Sequence, residues 1–409
     1  MKFIHAADLH LGNSLNGIWR EEEYEEFFAW LRGQIEETGA EALIVAGDVF
    51  DSVNPPNSAR TLYYKFLASL IGSSCKAVVI VGGNHDSGSN LDASGDILKL
   101  LDVHVVGNIS GKRPEDLAIG LRQKSGELFG VCLAVPFVRE NELAEVSDFE
   151  GGEAALAGLY RKVYEAAAAK FDLKAVPVLA TGHLYAAGLA GKKAEGEREI
   201  VGNLGNIRAS VFPEELDYVA LGHIHYQTMV GGNPKIRYSG SPFVMGFDET
   251  KIPHGVLLVE TNRGSVPSVK PLIFKSEKLL LRRVEGGLEK IKAELAELSA
   301  SELPEQTFVE IFYDARDREI IKTELADTLK TAKFKCSFRQ KPVERSEAGR
   351  EYSEDSLKDL TDEEVFRRLI SEKDDALKAL SGEERRKKLD ELYEEYKDLF
   401  AEILSEVEA

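Results

Sequence analysis

Cysteine is scarce in this chain. Only Cys75, Cys132 and Cys336 occur in 409 residues, an odd number without CxxC spacing, which excludes a disulfide-stapled secreted scaffold and leaves reduced thiols in the cytoplasm as the expectation. Long apolar runs are missing too. No stretch reaches the ~20 residues of a bilayer-crossing helix, and the opening segment is too short and polar for a secretory signal, so no membrane is expected as a partner. Basic charge is the third shortage: 51 Lys and Arg against 70 Asp and Glu give a formal charge of -19. Duplex-binding proteins usually carry a basic surface, so the sum alone weighs against nucleic acid. Much of the acid, however, lies in helical stretches such as Glu21–Glu26 and the C-terminal region, and distribution matters more than the total. Internal repeats are absent, and the one low-complexity stretch, Ala166–Ala169, fits an ordinary helix.

What the chain does contain is a series of five short aliphatic runs, at residues 2–7, 42–46, 76–81, 176–181 and 218–221. Their length and β-branched content predict buried strands. Each run breaks off at a polar cluster: Asp8-Leu-His10, Gly47-Asp48, Gly83-Asn84-His85-Asp86, Gly182-His183 and Gly222-His223-Ile-His225. Ligands of open α/β folds sit beyond the carboxyl ends of strands, so five such clusters can converge on one rim. Alternation along an extended chain predicts that Asp8 with His10, and His223 with His225, form two pairs each facing one point. Asn84 and His85 are neighbours and must point apart, so that one can hold a metal while the other meets substrate. The preceding glycines permit sharp turns there.

The donor chemistry narrows the ligand. Carboxylate, imidazole and amide oxygen without thiolate suit Mn, Fe or Zn in a site with open positions rather than a closed structural zinc site. Two carboxylates against two divalent ions leave net positive charge, which fits an anionic phosphodiester and hence phosphoryl chemistry. His5, His104 and His254 belong to no cluster and are read as structural.

With these motifs in order, the chain resembles the calcineurin-type metallophosphoesterases and, within them, the SbcD family, the nuclease subunits of bacterial SbcCD complexes. Gly47-Asp-Val-Phe-Asp51, Pro56–Leu62, Ala220–His225, Tyr238-Ser-Gly-Ser-Pro242 and Leu360–Phe366 carry the narrower likeness, which runs essentially the whole length. The resemblance implies two facing mixed β-sheets flanked by helices, a small α/β capping domain and a C-terminal helical segment. It further implies that Asp8, His10 and His225 hold one ion, Asn84, His183 and His223 the other, and that Asp48 bridges both. His85 is then left for catalysis at the leaving oxygen, and Asp51 and Asp86 are expected to orient imidazoles or water. The ions are expected to be Mn²⁺, with Mg²⁺ as the alternative. The implied activity is 3′ to 5′ exonuclease action on duplex ends and endonuclease action on single-stranded or hairpin DNA, in repair and recombination. An SbcC-like coiled-coil ATPase is the implied partner, in a heterotetramer built on a homodimer of this chain.

Texture along the chain divides it into a catalytic domain at 1–275, a capping domain at 276–342 and a C-terminal helical region at 343–409. Arg20, Lys192, Lys193 and Arg198 are candidate DNA contacts, and Tyr238–Pro242 is placed near the substrate side. In the last region Leu389, Leu392, Tyr393, Tyr396, Leu399, Phe400, Ile403 and Leu404 recur at three- and four-residue steps, an apolar stripe suited to docking the ATPase or to packing within the chain. Two rival functions remain: a small-molecule phosphodiesterase on the same core, which needs nothing beyond residue 275, and an end-binding scaffold that does not cut.

Overall fold

In the computed structural model the described residues are 1–15, 17–146, 152–186, 207–314, 318–341, 384, 386–394 and 396–397. The chain divides into two compact units, residues 1–341 and 342–409.

Two six-stranded mixed sheets form the body of the first unit. One carries β1 (Lys2–Ala6), β4 (Ala42–Ala46), β5 (Ala77–Val81), β6 (Val103–Val106), β13 (Gly255–Glu260) and β14 (Ser268–Ile273), in the order β14-β13-β1-β4-β5-β6. The other carries β7 (Ala118–Arg122), β8 (Leu128–Leu133), β9 (Val178–His183), β10 (Tyr218–Gly222), β11 (Thr228–Met229) and β12 (Ile236–Tyr238), in the order β11-β12-β10-β9-β8-β7. Four strands in each run parallel, β1-β4-β5-β6 and β12-β10-β9-β8. All five sequence runs become central strands.

The sheets face each other because the strands alternate as period-two elements must. Phe3, Ile44 and Val79 of the first sheet share one buried core with Val131, Leu179 and Val219 of the second. Their neighbours Ile4, Leu43, Val45 and Ile80 point the other way, onto Tyr24, Phe27, Phe28, Leu31 and Ile35 of the helix Glu21–Thr38. That apolar stripe was legible as a helical face, and all five residues are buried. The helix ends at Gly39, whose φ of 65° supplies the left-handed cap. The helix Gly152–Lys170 packs on the second sheet, where the Tyr160 hydroxyl donates to the carbonyl of Thr181.

Residues 279–340 form a parallel three-stranded sheet of β15 (Leu279–Glu285), β16 (Gln306–Tyr313) and β17 (Lys335–Gln340), linked by the helices Leu288–Ala300 and Arg318–Lys330. Val284, Ile291, Leu295, Val309, Ile311 and Leu325 give it a core of its own. A short hairpin of β2 (Ser14–Leu15) and β3 (Ile18–Trp19) touches this sheet, because Ile18 is buried with Phe247, Leu279 and Leu281. In the second unit the described residues from 384 to 397 are helical; Leu392 is buried there and Tyr396 exposed. Leu399, Phe400 and Ile403 lie outside the described residues, as do Lys192, Lys193 and Arg198.

The facing sheets lie close together where β10 ends. A Cβ on Gly222 would stand 1.9 Å from the carbonyl oxygen of Ala46 and 2.8 Å from Nδ1 of His183. Gly222→Ala therefore has no room without separating the sheets, and overpacking of this kind costs about 1–3 kcal/mol or more. The expected outcome is a lower midpoint of thermal unfolding, measured by calorimetry, where Gly33→Ala, at a helical position with open space around its Cβ, serves as the comparison.

Candidate metal centre

The parallel strands β1, β4, β5, β9 and β10 all deliver their carboxyl ends to one rim, and the polar clusters sit there. The backbone that presents them is not extended. Asp8, His10, Asp48 and His223 have φ of 55°, 44°, 48° and 100°, in the left-handed region that side-chain-bearing residues avoid at a cost of roughly 1–3 kcal/mol each. Alternation along a strand is thus not what orients them. His223 and His225 part company: His223 Nδ1 lies 3.0 Å from Asn84 Oδ1, whereas His225 groups with Asp8 and His10. The expected His223/His225 pair facing one point is incorrect, because the chain turns immediately after β10.

Asp48 stands in the middle. Its Oδ2 is 3.3 Å from His183 Nε2 and 3.6 Å from His10 Nε2, and its Oδ1 accepts the His85 amide at 2.8 Å. On one side of it the potential ligand atoms of Asp8, His10 and His225 lie within 4.8 Å of one another. On the other, His183 Nε2 is 2.9 Å from Asn84 Oδ1, beside His223.

These atoms fit cations rather than one another. His183 Nδ1 donates to the carbonyl of Ala46 at 2.9 Å, which leaves Nε2 a lone pair converging with two oxygen acceptors. His10 is buried, and among the described residues neither of its ring nitrogens finds a hydrogen-bond partner; buried polar atoms are seldom left so. Without cations the site holds protons instead. Burial disfavours a charged imidazole, yet Asp48 outweighs it at His183, and Glu249 does so at His225, raising both to about 9. Burial and the neighbouring His183 push His223 the other way, to about 3. For Asp48 the burial penalty is overcome chiefly by His183, so its carboxyl titrates well below the usual range, whereas burial raises that of Asp8.

His85 and Asn84 point apart, as neighbours on a turn must. The His85 ring is exposed; its Nδ1 donates to the carbonyl of Asp51 at 2.9 Å, which frees Nε2 as an acceptor. It also packs edge-on against His10 at 4.8 Å between centroids and lies within ligand reach of His10 and Asp51. Asp51 Oδ1 lies 3.4 Å from His10 Nδ1 without a hydrogen bond to it.

Asp86 does something else. Its carboxylate accepts the amides of Val49 and Phe50 at 3.0 and 2.9 Å and that of Gly83 at 2.9 Å. It therefore pins the two loops that carry Asp48 and Asn84, and its hydrogen bonds go to backbone rather than to an imidazole. Burial, then Asp48, raises its pKa to about 6 against those amides. Arg20 also departs from expectation. It is 2% exposed, with Nε on Glu23 at 2.7 Å and a guanidinium nitrogen on the Val244 carbonyl at 2.8 Å. A DNA phosphate cannot reach it. Tyr238, Ser239 and Ser241 are buried as well: the Ser241 hydroxyl donates to the Asp8 carbonyl at 2.9 Å and Tyr238 donates to that of Leu184, so this segment braces the site from behind. His5 and His254 are structural, His5 on the Tyr218 hydroxyl and His254 facing the carbonyls of Ser241 and Glu249.

One residue carries no sequence signal. Glu249 is 5% exposed and its Oε1 lies 2.9 Å from His225 Nδ1. It follows no strand-like run, and only the fold brings it back to the rim. Its Gly246-Phe-Asp-Glu249 setting offers no spacing rule.

Comparison with known proteins gives this rim its context. The calcineurin-like phosphoesterase family model matches residues 1–227, and the model described as the type 5 capsule protein repressor C-terminal domain matches residues 280–374. The SbcD subunit of the SbcCD nuclease from Escherichia coli K12 is 32% identical over 381 residues, 91% of this chain and 93% of the relative. Its Bacillus subtilis counterpart is 32% identical over 305 residues, covering 73% and 76%, and that of Rhodobacter capsulatus 36% over 282 residues, covering 66% and 69%. Matches of that extent, on a chain whose parallel strand ends gather carboxylate, amide and imidazole donors, leave one conclusion: the chain belongs to the calcineurin-like phosphoesterases, among the SbcD nuclease subunits, and is a metal-dependent phosphodiesterase.

Proposed function

We propose that this chain is the nuclease subunit of a DNA-end-processing complex, with Asp8, His10 and His225 holding one divalent ion, Asn84, His183 and His223 a second, and Asp48 shared between them. The observation that carries the reading is the Asp48 carboxylate, set between the ring nitrogens of His10 and His183 at 3.6 and 3.3 Å. Bound divalent ions would supply positive charge for the phosphodiester oxygens and lower the pKa of an attacking water. The donor set, which lacks thiolate, suits Mn, Fe or Zn, and the family resemblance points to Mn²⁺, with Mg²⁺ as the alternative. His85, its Nδ1 proton held on Asp51, leaves Nε2 free, and when that nitrogen also carries a proton it donates it to the leaving oxygen. Duplex ends cut 3′ to 5′ and single-stranded or hairpin DNA are the proposed substrates, in the cytoplasm, in repair and recombination. No helix among the described residues is long and apolar enough to cross a membrane.

Two surfaces support the proposed assembly. Ile97, Leu100 and Leu101 are exposed, at 70%, 84% and 43%, beside Tyr64, whose hydroxyl is tied to Ser94. A second copy of this chain would cover that apolar patch. By its sequence spacing alone, the stripe of Leu392, Tyr396, Leu399, Phe400 and Ile403 is proposed to dock an SbcC-like coiled-coil ATPase as an amphipathic helix in a groove, with Tyr396 exposed and Leu392 buried in the described part.

His85→Ala is expected to lower hydrolysis of bis-p-nitrophenyl phosphate and hairpin DNA by about a hundred- to ten-thousand-fold and still bind two Mn²⁺ ions in calorimetry. Asp48→Ala loses ions along with activity. An ion missing from His85→Ala makes that histidine a ligand, since it lies within reach of His10 and Asp51.

For the docking surface, Tyr396 and Phe400 replaced together by Asp are expected to abolish co-purification with the ATPase while sparing Mn²⁺-dependent hydrolysis of the small phosphodiester. A complex that survives the double substitution assigns the stripe to packing within this chain.

A further inference from the structure

Glu249 closes a short turn, Phe247–Glu249, that has two different faces. Toward the rim, one carboxylate oxygen lies 2.9 Å from Nδ1 of His225 and the other accepts the Met245 amide at 2.8 Å. The carboxylate therefore fixes the imidazole and its own loop together. Toward the capping sheet, Phe247 is buried with Leu279 and Leu281 of β15. Just beyond the turn, Thr250 accepts the Arg283 amide of β15 on its hydroxyl at 3.3 Å, and Lys251 pairs with Glu285 at the end of that strand. The turn thus touches β15 on one face and His225 on the other.

We propose that Glu249 is a positioning residue through which the capping sheet and the His225 metal site act on each other. A shift of β15 moves Phe247 and Thr250 with it, and the carboxylate that orients the ring follows. Carboxylates behind a metal-binding histidine are typically worth about ten- to a hundredfold in metal affinity, so a small displacement has leverage on one ion. The coupling is reciprocal: an ion held by a correctly aimed His225 tightens the turn and, through it, β15. The inference rests on the reading that His225 holds an ion.

The test uses the full chain, Mn²⁺ as the probe, calorimetry for ion count and affinity, and amide hydrogen exchange for β15. Wild type is expected to bind two ions and to show slower exchange along Leu279–Glu285 when they are bound. Glu249→Ala should weaken one ion about ten- to a hundredfold, leave the other unchanged and abolish the Mn²⁺-dependent protection of β15. Glu249→Gln keeps an acceptor for His225 and should recover part of both effects. Phe247→Ala, which leaves the carboxylate in place but loosens the cap contact, should weaken the same ion and lose the same protection; with Glu249→Gln it decides the matter if Glu249→Ala does not fold. A wild type without two ions overturns the metal reading itself. Two ions in wild type, with unchanged affinities in Glu249→Ala, overturn the role of Glu249. A weakened ion with β15 protection intact reduces Glu249 to a local support and overturns the coupling.

Discussion

Among the hydrogen bonds that cross from sheet to sheet, the one from His183 Nδ1 to the carbonyl of Ala46 lies at the rim. It joins the last residue of β9 to the last residue of β4, the point at which both sheets hand over to their polar clusters. The bond commits the Nδ1 proton of His183 to Ala46, so that the opposite nitrogen is the one that faces Asp48 and Asn84. It also requires the sheets to lie close enough that Gly222 and Gly47 meet His183 directly; a Cβ on Gly47 would stand 2.2 Å from Nδ1. Close approach, tautomer and ligand geometry are thus one constraint. Side chains at either glycine would part the sheets and turn the imidazole at once.

Strain is concentrated in the same place. Of the five described non-glycine residues with positive φ, four are Asp8, His10, Asp48 and His223, and their conformations are unfavourable for an isolated chain. What holds them is a set of hydrogen bonds that no solvent competes for. Both Asp8 carboxylate oxygens accept the His223 amide, Ser241 braces the Asp8 carbonyl and Tyr24 that of His10. Asp86 gathers three amides of the Asp48 and Asn84 loops. Such bonds to a buried carboxylate are among the stronger ones in proteins, about 1.5–3 kcal/mol each, enough to offset the local backbone cost. If these residues are the ligands proposed for them, the rigidity serves the chemistry, because groups held in place before an ion arrives need no rearrangement to receive it.

The strands and the ligand clusters were legible because both are local signals: an aliphatic run ended by Gly, Asp, Asn or His says where a strand stops and what it presents. The facing sheets and the metal-dependent phosphodiesterase came from the order of five such signals, through the family they resemble. Orientation was not legible. Period-two reasoning paired His223 with His225, and the turn after Gly222 sends them to different neighbours. Burial of charge was not legible either. Arg20 looks like a loop cation in sequence, yet Glu23, Val244 and the face of Phe243 enclose it. Asp86 sits next to His85 but serves backbone, and Glu249 reaches the rim across a long separation in sequence. These assignments depend on which distant segment folds over a residue, and composition carries no trace of that.

The acidic balance of the chain takes on a different meaning once the rim is resolved. A formal charge of -19 argues against a nucleic acid partner only if the surface acts as a whole, and salt screens charges more than about 8–10 Å apart. Locally, Asp8 and Asp48 face His183 and His225, both of which favour the protonated form in the metal-free rim. Divalent cations taking the places proposed for them at those nitrogens would displace the protons, and loading would then exchange singly charged protons for doubly charged ions. The rim would thereby gain positive charge among buried side chains, where charge is screened least. An acidic protein can in this way present a cationic site to an anionic backbone.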